Sequence, residues 1–129
     1  DLYLFISINA HNIFKRSEEN IYYELPIAFS DAALGTTVEV PSIDGGKSKI
    51  KIPAGTQHGK QFRLKGKGMP SLRKSVFGDL YIRIITEVPV SLSKRQKELL
   101  EEFKELEKTK PNPVIKNFFE KAKKFWGTK

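Results

Sequence analysis

Few residues in this chain have the side-chain chemistry that catalysis or metal binding requires. There is no cysteine, and the two histidines, His11 and His58, lie 47 positions apart. Neither histidine has a carboxylate at the spacing typical of a metal site. Asp31, Asp44 and Asp79 stand where helix caps or turns account for them. The sequence names no nucleophile, base or metal ligand set and predicts no enzyme.

A short glycine-rich segment, Gly66-Lys67-Gly68, has the composition of a phosphate-binding loop. It lacks the Lys-Ser/Thr ending of such a loop and the third glycine of a dinucleotide fingerprint. No strand–loop–helix pattern surrounds it. A structural turn is therefore the favoured interpretation.

Positive charge is the strongest chemical signal in the sequence. The net charge is +8, and residues 45–78 contain nine Lys/Arg and no Asp/Glu. The run predicts either a solvated sheet face that discourages edge pairing or a surface for acidic peptides or nucleic acid. The solvated face is favoured, and nucleic acid is not, because only Phe62 and Phe77 supply aromatic rings there. The predicted basic residues are Lys49, Lys51, Lys60, Arg63, Lys65 and Lys67.

Two strands should position this charge. Ile50 and Ile52 alternate with lysines, and Phe62 and Leu64 resume the alternation after a break at Pro53. A period of two places the apolar side chains on one face and the cations on the other. We predict that residues 50–70 form a solvent-facing antiparallel hairpin.

The remaining chain predicts further strands at residues 2–8, 21–25, 36–43 and 79–88. Residues 15–20 are expected to be a polar linker. Pro26 should end the second strand, because it removes a ladder donor. Ser30 should cap a helical turn that Gly35 terminates, and residues 44–46 should form a positive-φ hairpin turn. Residues 79–88 are apolar on both faces, which is typical of a central strand.

Two helices should follow. Ser93 and Gln96 have the spacing of a capping box that opens a helix to about Lys108. Asn112 as N-cap and Pro113 at the first position should begin another, which extends to Trp126 with an aromatic face opposite a cationic face. That pattern fits membrane-surface binding, but docking on the chain's own sandwich or on a second protomer is the favoured interpretation. No apolar run reaches the roughly 20 residues of a membrane span.

Three stretches carry a family resemblance: LPIAFSDAALGTTVEVPSIDG, IPAGTQHGKQFRLKGKGMP and GDLYIRIITEVPVSLSKRQKELLEEF. They resemble the carboxy-terminal region of bacterial DnaJ-type co-chaperones, over essentially the whole chain. Residues 1–6 also recur as 79–84, which fits the two similar β-subdomains of that family. The start without methionine indicates a piece of a longer polypeptide.

The resemblance implies a mainly β fold: a small β-sandwich-like subdomain with carboxy-terminal helices. Residues 1–16 would be the last strand of a preceding β-subdomain with a linker, and 17–90 the second β-subdomain. Residues 91–109 would be a dimerisation helix, and 110–129 a linker and tail helix. The J-domain and the cysteine-rich zinc insertion of the family have no counterpart here, so no cofactor is expected in this chain.

The implied function is to bind unfolded polypeptides and to dimerise the co-chaperone, which delivers clients to a DnaK-type chaperone. The alternative is a purely structural dimerisation module. The implied location is cytoplasmic, with no membrane partner. An apolar client-binding groove is one interpretation, and core packing the other, for Tyr23, Leu25, Val38 and Val40. The expected homodimer interface is Leu92, Gln96, Leu99, Leu100, Phe103 and Leu106.

Overall fold

The computed structural model describes residues 14–17, 19–41, 45–69 and 77–127, with side chains from residue 19 onward. The chain divides into two compact units, residues 1–89 and 90–129. The first contains β1 (Phe14–Ser17), β2 (Asn20–Ala28), α1 (Phe29–Leu34), β3 (Thr36–Pro41), β4 (Lys47–Ile52), β5 (Gln61–Leu64) and β6 (Leu80–Glu87). The second contains α2 (Lys94–Glu107) and α3 (Pro113–Gly127). The fold is mainly β with carboxy-terminal helices, as predicted.

The strands form two sheets. One sheet has four strands in the order β1-β2-β6-β5, and the other pairs β3 with β4. Strands β2 and β6 run parallel from Ile21↔Leu80 to Ala28↔Glu87, and the remaining pairs are antiparallel. The predicted strand over residues 79–88 is thus confirmed as a central strand.

One apolar core joins the two sheets. Leu80, Ile82 and Ile84 of β6 are completely buried, and the outward positions of the same strand alternate with them. Strand β4 buries Ile50 and Ile52 in the same cluster. Because both sheets contribute their inner faces, their outer faces point away from each other. The rest of the buried core is Ile21, Tyr23, Ile27, Ala32, Val40 and Met69.

The predicted hairpin over residues 50–70 is wrong. Strand β4 pairs with β3, where Ile50 lies opposite Val38, and β5 pairs with β6, where Phe62 lies opposite Ile82. Alternation determines which side chains face the core, but it carries no information about the partner strand. The predicted groove residues 23–25 and 38–40 do not lie on neighbouring strands either, because β2 and β3 belong to different sheets.

Three predicted element boundaries are also wrong. Strand β2 continues through Pro26 to Ala28. Within the described residues β1 pairs with β2 only as far as Tyr23, so Pro26 lies beyond that pairing and removes no bond from it. Residues 15–17, predicted as linker, belong to β1. Helix α1 begins at Phe29 with Ala28 as N-cap, not Ser30.

Other local predictions are confirmed. Gly35 ends α1 at a φ of 86°, and a Cβ there would lie 2.9 Å from the backbone nitrogen of Ala54. Gly45 has a φ of 91°, as expected of a hairpin turn. Pro113 is the first residue of α3. The predicted strand over residues 2–8, residues 42–44 and the loop after Met69 up to residue 76 lie outside the described residues.

Candidate functional site

The four predicted groove residues separate into two pairs. Tyr23 of β2 and Val40 of β3 are core residues, exposed by only 5% and 2%. Burial raises the pKa of the Tyr23 phenol above its ordinary value. Leu25 and Val38 are half-buried and pack against the core from its margin. Only the second pair therefore presents apolar surface to solvent.

Sequence reasoning missed two further residues of this kind. Phe62 and Leu64 of β5 are also half-buried and packed against the core. The alternation around them pointed to an inward face, but nothing in it indicated a strand at the edge of the sheet. We call Leu25, Val38, Phe62 and Leu64 the margin residues. Among the described residues β3 pairs only with β4, and β5 only with β6.

The structure divides the predicted basic residues between two surfaces. Lys49 and Lys51 lie on the outer face of the β3–β4 sheet, beside Lys47, whose Nζ is 3.6 Å from Glu39 Oε2. Arg63 lies on the outer face of the four-stranded sheet. Lys60, Lys65 and Lys67 are exposed in the segments flanking β5. Those cations of the run that the structure describes do not form one continuous face.

Arg63 has a structural partner. Its Nε and Nη2 each lie 2.6 Å from Asp79 Oδ2, and the Gly66 backbone N–H donates to Asp79 Oδ1 at 3.0 Å. The Gly66 hydrogen bond and the Arg63 guanidinium lower the pKa of Asp79, and Asp79 in turn raises the pKa of Arg63. This arrangement confirms a structural turn at residues 66–68, because the Gly66 amide that a phosphate would need already binds a carboxylate.

Gly68 allows neighbouring backbone segments to approach it closely. A Cβ on Gly68 would lie 2.5 Å from the Glu19 carbonyl oxygen, so only glycine fits. The Gly68 N–H donates to the Gly78 carbonyl at 2.9 Å, and the Met69 N–H donates to the Glu19 carbonyl at 2.7 Å. These bonds hold Met69 in the core, where it is 2% exposed. The glycine-rich segment therefore ties both ends of the residue 66–79 region to the start of β2.

Side chains at the start of α2 satisfy backbone N–H groups there, and the helix also carries a largely exposed apolar stripe. Ser93 Oγ accepts from the Gln96 N–H at 3.1 Å, and Gln96 Oε1 accepts from the Ser93 N–H at 2.9 Å. The predicted capping box is confirmed, and it occupies the Gln96 side chain. Neither α2 nor α3 buries a residue. The predicted interface residues are half-buried at Leu100 and exposed at Leu92, Leu99, Phe103 and Leu106.

Neither a metal-ligand cluster nor a membrane-spanning helix is found among the described residues. Within the described ranges no three His, Cys, Asp or Glu residues lie close enough together to hold a metal ion. His58 Nδ1 accepts a hydrogen bond from the Thr86 N–H at 3.0 Å, a structural role. No helix of the described residues has the length and apolar character needed to cross a membrane.

Known families match both units of this chain. The DnaJ C terminal domain family matches residues 1–89, and the Chaperone protein DnaJ C-terminal region matches residues 95–128. Because the first match alone covers more than half of the sequence, the chain belongs to the DnaJ C terminal domain family. The resemblance noted from the sequence is confirmed.

Individual relatives are similar over nearly the whole chain. The Chaperone protein DnaJ of Pelagibacter ubique (strain HTCC1062) is 65% identical over 126 residues, which cover 98% of this chain and 34% of the relative. The Chaperone protein DnaJ of Paramagnetospirillum magneticum is 54% identical over 129 residues, with 98% and 34% covered. That of Brucella canis is 52% identical over 126 residues, with 98% and 33% covered. The chain thus spans about a third of the length of these relatives.

Proposed function

We propose that this chain binds non-native polypeptides and dimerises its parent protein, so that a bound client can be passed to a DnaK-type chaperone. Membership of the DnaJ C terminal domain family supports a chaperone role. The observation that carries the binding proposal is the set of margin residues on β3 and β5. Val38, Phe62 and Leu64 present half-buried apolar side chains there, and each of these two strands has one partner among the described residues.

The binding step follows from that geometry. An extended client segment would pair with the edge of β3 that has no partner among the described residues, and would place an apolar side chain against Val38. Main-chain hydrogen bonds supply affinity in such strand addition, and apolar contacts favour hydrophobic segments. Both kinds of contact depend weakly on sequence, which suits a surface that must accept many unfolded chains.

A matched pair of substitutions tests the site. Val38 and Val40 are two residues apart on β3, but only Val38 is at the margin. Val38→Ser should weaken binding of a fluorescently labelled unfolded polypeptide several-fold with a small change in Tm. Val40→Ser should lower stability by on the order of 2–4 kcal/mol, because it loses apolar burial and buries a hydroxyl. Unchanged client affinity in a folded Val38→Ser variant would place client binding elsewhere.

Dimerisation is proposed to use the apolar stripe of α2, which consists of Leu99, Leu100, Phe103 and Leu106. Each apolar side chain removed from water contributes about 1.5–3 kcal/mol. Four from each protomer could together offset the entropic cost of association, which is about 4–15 kcal/mol. A twofold arrangement would bring the same stripe together from both chains. It would also give one client two attachment points, which raises avidity.

A purely structural dimerisation module is the second candidate, favoured by the burial of Tyr23 and Val40 in the core. One titration separates the two proposals. Saturable binding of labelled unfolded polypeptide by this chain supports the client site. A stable dimer that shows no such binding supports the structural module.

A further inference from the structure

Helix α3 separates its residues into two faces with unusual clarity. At 3.6 residues per turn the large apolar side chains fall within less than half of the helix circumference. These side chains are between 52% and 82% exposed: Val114, Ile115, Phe118, Phe119, Phe125 and Trp126. The opposite face carries four lysines and one acid, Glu120, over the fifteen residues of the helix.

The lysines stand at both borders of the apolar face. On the same helical projection Lys121 lies beside Val114 at one border, and Lys123 lies beside Phe119 at the other. All four of these side chains are exposed. The shorter Ala122, which lies within the apolar face, is half-buried. Long lysine side chains in this position can keep their alkyl chains against an apolar medium while their ammonium groups reach a polar layer.

Helix α2, in the same unit, has a different distribution of charge. It carries five glutamates and four basic residues, a net charge of −1, whereas α3 carries a net charge of +3. Mixed charge around a leucine stripe is typical of helices that pair with other helices. Aromatic residues, including tryptophan, opposite a face on which lysines predominate are typical of helices that lie in a membrane interface.

We propose that α3 binds the surface of an anionic phospholipid bilayer, with its aromatic face in the acyl boundary and its border lysines at the lipid phosphates. This differs from the sequence expectation of a protein partner. The reason is charge complementarity: anionic headgroups match the lysines at both borders of α3, whereas the other apolar stripe of this unit, on α2, carries Lys97 and Lys104 on one of its own borders. The helix would lie parallel to the surface, so it need not span the bilayer. The proposal is independent of client binding.

The chain contains its own probe for this contact. Trp126 is its one tryptophan, lies on the apolar face of α3, and is 67% exposed. With vesicles of equimolar phosphatidylglycerol and phosphatidylcholine we expect a blue shift of Trp126 emission and quenching by brominated acyl chains. Pure phosphatidylcholine vesicles should produce a much weaker effect, and added salt should reduce binding to the anionic vesicles.

Paired substitutions separate this helix from general positive charge. Lysines near an anionic surface contribute about fivefold each to binding, so Lys121→Gln with Lys123→Gln should weaken vesicle binding roughly 25-fold. Lys97→Gln with Lys104→Gln removes the same charge from α2 and should change it less than about twofold. Far-ultraviolet circular dichroism should be unchanged in both variants, because all four side chains are exposed.

Three results would overturn the proposal. One is the absence of an emission shift with anionic vesicles. Another is equal weakening by the α2 control pair. The third is emission that is already blue-shifted without lipid and follows protein concentration, which would show that a second copy covers α3. Because none of these readouts involves an unfolded client, the result stands apart from the test of client binding.

Discussion

The two units of this chain differ in the solvent exposure of their apolar residues. In the β-unit, Leu80, Ile82 and Ile84 have no exposed surface, and both sheets contribute to one core. In the helical unit, Leu106 and Trp126 are 63% and 67% exposed, and neither helix buries a residue. The described β-unit therefore buries its central apolar side chains in a core of its own. The helical unit is stabilised locally but needs another surface to remove its apolar groups from water.

The helical unit holds its shape by different interactions. The Ser93–Gln96 capping box satisfies backbone donors at the start of α2 without any tertiary contact. Lys108 Nζ lies 3.0 Å from Glu105 Oε1 at the other end, a local pair. Local interactions of this kind leave the apolar stripes available for association, and the predictions below test that division.

The largest effect is expected from Phe103→Asp in α2. It removes a large apolar contact from each protomer and places a charge in the proposed interface, so dimer affinity should fall by more than about 100-fold. Light scattering should report a folded monomer. Glu101→Asp, on the charged face of the same helix, should remain dimeric. A monomeric unmodified chain at tens of micromolar, or an unfolded Phe103→Asp β-unit, would contradict the proposal.

The next effect compares the two units directly. Ile82→Ala should destabilise the β-unit by about 2–5 kcal/mol, because Ile82 is fully buried on the central strand. Leu106→Ala removes a similar side chain from α2 and should change the unfolding free energy of the β-unit by less than about 0.5 kcal/mol. Urea unfolding of both variants measures this difference, at protein concentrations below the dissociation constant of the dimer. Similar losses would show that α2 packs on the β-unit.

A smaller effect concerns acid stability of the β-unit. The pKa of Asp79 is lowered in the folded chain, first by the Gly66 N–H and also by Arg63, so its charge stabilises the fold at pH values above the ordinary aspartate pKa of 3.8. That contribution should disappear as pH falls through the lower folded pKa. Asp79→Asn should therefore lower Tm at neutral pH and show a shallower decline of Tm below about pH 4. An equal acid decline in both proteins would exclude this role.

The smallest effect concerns the surface lysines. Lys65→Gln with Lys67→Gln should leave Tm nearly unchanged, because exposed charges contribute about 0–1 kcal/mol. If an acidic peptide binds near β5, the double variant should bind it more weakly and with a reduced salt dependence. Lys49→Gln with Lys51→Gln, on the other sheet, is the matched control. Isothermal titration with the acidic peptide at low and physiological ionic strength distinguishes the two surfaces. An affinity that does not depend on salt would rule out both surfaces as the peptide-binding site.

The sequence predicted which side chains face the core, and where α2 begins, better than which strands pair with each other. Alternation placed Ile50, Ile52 and Phe62 inward, and the capping motif located the start of α2 at Ser93. It could not show that β4 and β5 belong to different sheets, because a period of two is the same in either pairing. Strand β1 was missed since its Lys15-Arg16-Ser17 sequence has no apolar alternation, and an edge strand needs none.

The candidate site was predicted less well than the fold. Leu25 and Val38 were found, but Tyr23 and Val40 were grouped with them because i, i+2 spacing identifies a face and not its depth. Phe62 was recognised as an inward residue, yet its place at the margin depends on β5 being at the edge of the sheet. The split of the basic run also required the two-sheet topology. The depth at which a side chain is buried and the position of a strand at the edge of a sheet both depend on how the two sheets assemble.

The parallel pairing of β2 with β6 has a consequence for how the chain is made. The strand at the centre of the sheet is the last of the six described strands to leave the ribosome, after β3, β4 and β5. Until Leu80, Ile82 and Ile84 emerge, β2 and β5 have no strand between them and the core lacks its middle. Pairing between segments so far apart in the chain is slow, because a long loop must close before any contact forms. Newly synthesised copies of this β-unit therefore pass through a period in which their own apolar strands are exposed.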